Sequence, residues 1–304
     1  MDKIVRDGLI GICREHGGRV VFDAPLRSLS KIGIGGKAAA WLEPSGLEAL
    51  TAARSLLDGK GMRTIVIGNA SNVLFPDGDM DAVVITLSSR PFRTTRFGGR
   101  TVTAGAGVEL TGLISDCCER GLSGLEGLVG VPATVGGAVM TNAGYRSSIS
   151  DHLVKVRCLD GNGNMTWMDR GAIEFGYRSC SLDKKWIVVE AVFRLQKAAP
   201  QMLRERVKEY FLEKMSRQPL DKRTLGCVFK NPGDTERGSS ELIDLARMKG
   251  ATQGGAQVSE KHANFIVNLG NASSGDVVRL MEKMKREVLK KFSVELESEI
   301  EILS

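Results

Sequence analysis

The sequence predicts a mixed α and β fold in more than one lobe. Stretches with apolar residues at spacings of three and four alternate with short β-branched runs bounded by Gly, Asp and Asn, the signature of helices and strands in one chain. Glycine is unusually frequent, at 36 of 304 residues, and its clusters fall in two segments. A break at residues 198–200, just ahead of a long charged helix, sets a domain boundary near 198. At ~100–200 residues per domain, the chain is long enough for two average domains.

Along the chain, 46–57 (GLEALTAARSLL) has helical periodicity, and 64–67 (TIVI) and 82–87 (AVVITL) are strand runs. Residues 109–120 (ELTGLISDCCER) form the next amphipathic helix, then 153–159 (LVKVRCL) and 187–195 (IVVEAVFRL) are strands. The helix predicted over 200–217 stops at Gln218 and Pro219, since proline cannot continue it. Residues 240–249 follow as a helix capped by Ser239 or Ser240. The last helix spans 275–292, with Ser274 as its cap and Val277, Met281, Met284, Val288 and Phe292 on one face. After it, VELESEIEIL (294–303) is a closing strand. There is no repeat and no low-complexity segment.

Composition narrows the function. The chain is 42% hydrophobic and 26% charged, as a soluble globular protein should be, and no apolar run approaches the ~18–20 residues needed to cross a bilayer. Arg6, Asp7, Arg14 and Glu15 interrupt the apolar positions of the first 18 residues, so no signal peptide is expected and the cytoplasm is the expected location. Cys13, Cys117, Cys118, Cys158, Cys180 and Cys227 show no CxxC spacing, and with three histidines no metal site is expected. The net charge of +6 is interspersed, which suits anionic small molecules better than nucleic acid. Three tyrosines and no aromatic–basic interleaving offer bases no stacking platform.

Two glycine segments look built for a phosphate. In 65–78 (IVIGNASNVLFPDG) a strand delivers Gly68, Asn69, Ala70, Ser71 and Asn72, a turn able to aim several N–H groups at an anion. Residues 124–144 (GLEGLVGVPATVGGAVMTNAG) are nearly uncharged and hold Gly130, Gly136, Gly137, Gly144, Thr134 and Asn142. Taken alone, each is equally a tight inter-strand turn; together they favour a bound dinucleotide. GAGVELTG at 105–112 imitates a Rossmann fingerprint but has Leu110 at the third glycine position, and no P-loop occurs. The dinucleotide fold is therefore of another kind.

Nine ordered motifs resemble the UDP-N-acetylenolpyruvoylglucosamine reductase family. They are IGIGG (32–36), GNASN (68–72), GLSGLEGLVGVPATVGGAV (121–139), NAG (142–144), FGYRS (175–179), GCVFKNP (226–232), ELIDLARMKG (241–250), GGAQVSEKHANFIVN (254–268) and LESEI (296–300). The short stretch between Arg178 and Gly226 resembles the compact type of this enzyme. The resemblance implies an α+β fold: a vanillyl-alcohol-oxidase-type FAD-binding domain in two lobes plus a C-terminal α/β substrate-binding lobe. The implied lobes are 1–87, completed by the strand 295–304, then 88–198, and a substrate lobe at 199–294. It further implies non-covalent FAD, held by Ile34, Gly35, Gly36, Gly68, Asn69, Ala70, Ser71, Asn72, Gly130, Val131, Pro132, Thr134, Gly136, Gly137 and Ala138. NADPH is the implied co-substrate. The partner is a UDP-sugar enolpyruvyl ether, with no nucleic-acid or membrane partner, and the protein is expected to be a monomer.

The implied reaction adds two hydrogens across an enolpyruvyl C=C in peptidoglycan synthesis, with hydride passing from NADPH by way of FAD to the methylene carbon. Negative charge then gathers as an enolate and a proton must reach the α carbon. The family's catalytic motifs fall on Arg178, whose guanidinium pairs with the enolate, on Glu299, which bonds the same carboxylate or enol oxygen, and on Cys227, the proton donor where the family more often has Ser. Without the resemblance, a structural salt bridge is the stronger reading of Arg178, and a strand-end surface glutamate and a buried inert thiol stand as the plain readings of Glu299 and Cys227. Glu297 and Glu301 alternate with Glu299 on one strand face. Tyr177, Lys230 and Asn231 are implied substrate contacts, Asn231 being also a natural turn cap; His262 is expected to pack. Ala70, Ala133 and the pair Arg247–Met248 replace family glycines or Gly–Leu, which is harmless only where φ is negative or the backbone has room. The alternatives are another FAD oxidoreductase of the same fold, such as an oxidase, or a non-catalytic flavin- or sugar-nucleotide-binding module.

Overall fold

Helix α1 (Lys3–His16) starts where Asp2 Oδ1 accepts the Val5 amide at 2.8 Å, and it buries Val5 and Leu9. Helix α2 (Leu47–Gly59) lies beside it and buries Ala49, Leu50, Ala53 and Leu57. The first sheet orders strands Gly18–Pro25, Lys37–Pro44, Met80–Thr86 and Arg63–Ile67, the last two parallel in the register Ile65 to Val84. This parallel pair explains why 82–87 is almost continuously apolar: Ala82 to Ile85 are wholly buried. These are the elements of a computed structural model in which residues 1–233 and 235–304 are described.

A second, antiparallel sheet orders Met165–Asp169, Leu153–Leu159, Ile187–Arg194, Thr101–Gly105 and Thr95–Gly98. Helices α3 (Leu110–Glu119) and α4 (Val135–Met140) cover it, α4 packing on the central strand Ile187–Arg194. Helix α5 (Pro200–Arg217) runs as expected from the proline to Arg217, and Leu203, wholly buried, and Val207 enter the same core. Both sheets share that core, from Leu50 and Ile85 to Val102 and Phe193. The first compact unit is accordingly Met1–Asp23, Ala39–Asn69 and Asp81–Leu212.

The second unit gathers Ala24–Ala38, Ala70–Met80 and Glu213–Ser304. Its antiparallel sheet orders Thr224–Cys227, Phe265–Asn268, Ala256–Val258 and Thr252–Gln253. Helices α6 (Ser239–Leu245) and α7 (Ser274–Phe292) pack in its core with Ile32, Ile34, Leu74, Phe229 and Ile300. The α7 face Val277, Met281, Met284 and Val288 is buried as its spacing predicts.

Several expectations are corrected. The α7 cap is Ser273, not Ser274: Ser273 Oγ accepts the Asp276 amide at 3.0 Å, and Asp276 Oδ2 accepts the Ser273 amide at 3.0 Å. Ser274 instead donates its hydroxyl to Asp77 Oδ2 at 2.8 Å. Helix α6 ends at Leu245 rather than 249, because Arg247 turns to φ +60, and neither serine caps it; Gly238 holds the cap position. In 294–303 only Glu301–Ile302 is a strand, paired parallel with Val73–Leu74. Among the described residues no helix is long and apolar enough to cross a membrane and no group of side chains could hold a metal ion.

Candidate active site

In the first unit the two glycine segments meet. Asn69 Nδ2 donates to Glu109 Oε2 at 2.6 Å and to Pro132 O at 3.4 Å. Gly68 sits so close to Thr134 that a Cβ would strike Thr134 Oγ1, so the approach requires glycine. The loop from Gly130, at φ +71, is laid along 106–110 by three amides: Leu110 N to Ala133 O, Val135 N to Val108 O and Gly136 N to Ala106 O, each at 2.9 Å. Thr134 Oγ1 then accepts the Gly137 amide at 3.4 Å and opens α4. Val131 and Pro132 stay partly or fully exposed, while Ala138 is buried under the loop. The two neighbouring glycines differ. A Cβ on Gly136 would lie 2.9 Å from the Ala106 Cβ, inside the protein, whereas one on Gly137 would meet only Thr134 Oγ1 at an ordinary 3.5 Å.

Arg178 is the second residue of the two-residue loop joining strands Phe175–Gly176 and Ser179–Cys180, and its φ is +53. That backbone is rare for a side chain of this size. Its Nη2 donates to Gly144 O at 2.6 Å, and its guanidinium carbon lies 5.2 Å from the ring centre of Tyr177, itself 54% exposed. The loop 145–150, atypical in sequence, is held by Arg146 N donating to Gly127 O at 2.9 Å and by reciprocal capping of Ser148 and Asp151; the Arg146 guanidinium lies over Tyr210. Burial would push the Glu126 carboxyl up, but bonds from the Gly124 amide, Ser123, its own amide and Arg206 hold it below the usual range.

In the second unit Gly36 donates its amide to Pro76 O and accepts from the Leu26 amide, both at 2.8 Å, and its missing Cβ leaves room for the Asp77–Gly78 backbone. Ile34 is buried and Gly35 has φ +147. Ala70 adopts φ +45, as Arg247 adopts +60, so two of the replaced positions keep the left-handed backbone and carry a cost of ~1–2 kcal/mol each. The condition of negative φ is therefore not met at Ala70 and Arg247, whereas Ala133 is not left-handed. Ser71 is half-buried beside Asn72.

Glu299 links two turns. Its amide donates to Val228 O at 2.9 Å, its carbonyl accepts Asn72 Nδ2 at 3.0 Å, and the Glu301 amide donates to Asn72 O at 2.9 Å. Residues 297–299 therefore run antiparallel to 228–230 through a bridge between Phe229 and Ser298, after which the chain joins Val73–Leu74. Cys227 ends the neighbouring strand after Gly226 at φ +84 and is half-buried. Asn264, which sequence reasoning did not single out, fixes this turn: its side chain accepts the Phe229 amide at 3.0 Å and donates to Phe229 O at 2.8 Å. Lys230 Nζ pairs with Glu297 at 2.5 Å, and Asn231 Oδ1 accepts the Ser239 amide at 3.0 Å. His262 packs edge-on to Phe265 with Nδ1 3.3 Å from Ser240 Oγ; burial, with Lys249 nearby, pulls its pKa down to about 4. The structure thus brings Cys227, Lys230, Glu299 and Asn72 together in one unit, and Arg178 with the 130–138 loop in the other.

Comparisons with known proteins agree over nearly the whole chain. Residues 38–169 match the family model for an FAD binding domain, and 218–303 the model for the UDP-N-acetylenolpyruvoylglucosamine reductase C-terminal domain. A reductase of that name from Syntrophobacter fumaroxidans is 38% identical, covering 92% of this chain and 82% of its own length. One from Moorella thermoacetica is 36% identical, covering 93% of each. The crystal structure of the Thermus caldophilus reductase superposes with a TM-score of 0.80 at 32% identity, covering 94% of this chain and 99% of that one. Phl p 4.0202, a glucose dehydrogenase, shares the fold alone, with a TM-score of 0.51 at 14% identity, over 97% of this chain and 60% of that one.

Proposed function

The chain belongs to the UDP-N-acetylenolpyruvoylglucosamine reductase family, and from that premise we propose how its own residues carry the reaction. The protein is an FAD-dependent oxidoreductase that reduces UDP-N-acetylglucosamine enolpyruvate with NADPH in peptidoglycan synthesis. Bound FAD supplies the two-electron relay between NADPH and the enolpyruvyl double bond.

The residues present fit FAD. The Gly68–Thr134 approach, which a Cβ would fill, brings Asn69 and Pro132 side by side, and at Gly137 a Cβ would meet only Thr134 Oγ1 at 3.5 Å, so the loop leaves room beside it. No His or Cys occurs in 65–78, so the cofactor is held without a covalent bond. In this reading the cofactor-binding residues are Gly68, Asn69 and the backbone of Gly130, Val131, Pro132, Thr134, Gly137 and Ala138 in the first unit, and Ile34, Gly35, Gly36, Ala70, Ser71 and Asn72 in the second. Gly136 supports the loop from behind. Residues 1–87, completed by 295–304, and 88–198 are then the cofactor lobes and 199–294 the substrate lobe.

Arg178 receives the negative charge that develops on the substrate carboxylate, Glu299 bonds the same group, and Cys227 delivers the proton to the α carbon. A thiol, with a reference pKa of ~8.5, is a better acid than a serine hydroxyl, so Cys can fill the serine position. Tyr177, Lys230 and Asn231 hold the UDP-sugar. The observation that supports this reading most is the backbone tie of Glu299 to both Val228 and Asn72, which sets the acid between the Cys227 turn and the expected cofactor turn. A cytoplasmic monomer without nucleic-acid or membrane partner completes the proposal.

The test is NADPH oxidation by the yellow purified protein with and without the enolpyruvyl UDP-sugar. Oxidation that depends on that substrate and yields its saturated product is the expected result. Equal oxidation without substrate makes the protein an oxidase, and none under either condition makes it a binding module; both overturn the reading.

A further inference from the structure

Asn142 grips the hairpin that carries Arg178 at its base while its neighbour grips it at its tip. The Asn142 Nδ2 donates to Gly176 O at 2.7 Å, on the residue just before the two-residue loop, and Gly144 O accepts from Arg178 Nη2 at 2.6 Å. The grip continues from α4: the Ala143 amide donates to Ala138 O at 2.8 Å, and Ala143 O accepts from the Ile149 amide at 2.9 Å. One short strap thus joins the 130–138 loop to the arginine hairpin within a single compact unit.

Packing alone does not account for Asn142. It is 5% exposed, sits at φ +44, and its Oδ1 is buried with no hydrogen-bond partner among the described residues. A left-handed backbone and an unpaired buried acceptor both cost stability, and glycine would remove both costs. What glycine could not supply is the amide donor to Gly176. Such strain is retained where the geometry it enforces is useful.

We propose that Asn142 is a positioning residue, whose amide sets the 175–180 hairpin and thereby aims the Arg178 guanidinium in register with the 130–138 loop. This rests on the role of Arg178 proposed above. Asn142 touches no reacting atom.

The experiment compares Asn142→Gly, Asn142→Asp, Arg178→Ala and the double variant Asn142→Gly/Arg178→Ala as holoenzymes, timing flavin bleaching by NADPH and colour return on adding substrate separately. Asn142→Gly keeps the backbone conformation, and Asn142→Asp keeps the shape; each removes the donor. Both should slow colour return about ten- to a hundredfold, the scale of a misplaced catalytic group, with bleaching changed less than about twofold. The double variant should be no slower than Arg178→Ala, because residues acting through one another are not additive. Independently of the cofactor, trypsin should cut after Arg178 several-fold faster in flavin-free Asn142→Gly than in the wild type, at an unchanged or higher melting temperature. Wild-type colour return in both Asn142 variants, an equal slowing of both half-reactions, additive effects in the double variant, or unchanged cleavage overturns the role of Asn142 and leaves Arg178 in place. Wild-type colour return in Arg178→Ala overturns the reading of Arg178 and this one with it.

Discussion

At Cys227 the sulfur chemistry can be read directly. Only the substrate half of the reaction needs a proton at the α carbon, so Cys227→Ala should lose ~10²–10⁴-fold in turnover while bleaching by NADPH persists, and Cys227→Ser should remain largely active. Normal turnover in Cys227→Ala would move the proton source elsewhere. The adjacent glycines make a second residue test. Gly136→Val forces a side chain onto Ala106 and should destabilise by ~1–3 kcal/mol, seen as a lower melting temperature, whereas Gly137→Val should fold normally and fail to retain flavin. At His262, acid titrates the fold. Its folded pKa of about 4 lies below the ordinary 6.5, so between those values the unfolded chain binds a proton that the folded one refuses. Stability therefore falls as pH drops from 6.5 to 4, and the urea midpoint of His262→Gln should fall less across that window. The motif residues themselves were legible in the sequence. The left-handed backbone at Asn142 and Arg178 was not, because a non-glycine residue at positive φ is imposed by tertiary contacts; at Ala70 and Arg247 only the family glycines they replace hinted at it.

At the scale of elements, the apolar pattern placed the strands Leu153–Leu159 and Ile187–Arg194 to within a residue, and the prolines at 200 and 219 set the ends of the charged helix α5. Where the partner lies far along the chain, the pattern fails. Residues 294–303 alternate as a strand should, yet their pairing is shared between 228–230 and 72–74, which breaks the ladder after one bridge. The start of α7 is a similar case. Asp77, nearly 200 residues earlier, accepts the Ser274 amide and hydroxyl, both at 2.8 Å, and the Gly275 amide at 3.3 Å, so a distant carboxylate supplements the local box. Asp77→Ala should cost about 1–2 kcal/mol in urea unfolding. Ser274→Ala, which leaves the two amide bonds, should cost less.

For the whole molecule, cofactor binding and folding are linked. A ligand that binds only the folded chain stabilises it by RT ln(1 + [L]/Kd), ~2.7 kcal/mol at a hundredfold excess over Kd, so the melting temperature should climb as FAD is titrated into flavin-free protein. Gly137→Val should show no climb. The sequence marks the break near 198 by its proline but not the grouping of contacts, which changes at 212 because Leu203 and Val207 of α5 enter the first core. Nor does composition mark 24–38 and 70–80 as partners of the C-terminal stretch, since that partnership is made by long-range pairing such as Val73 with Glu301. On the ribosome this pairing becomes a matter of time. At ~5–20 residues per second, Val73–Leu74 emerge roughly 10–50 s before Glu301–Ile302 is made. The nascent chain makes Ile32, Ile34 and Leu74 long before their core partners at 225–300, so these apolar seeds of the second core stay open to a holding chaperone until the chain is nearly complete.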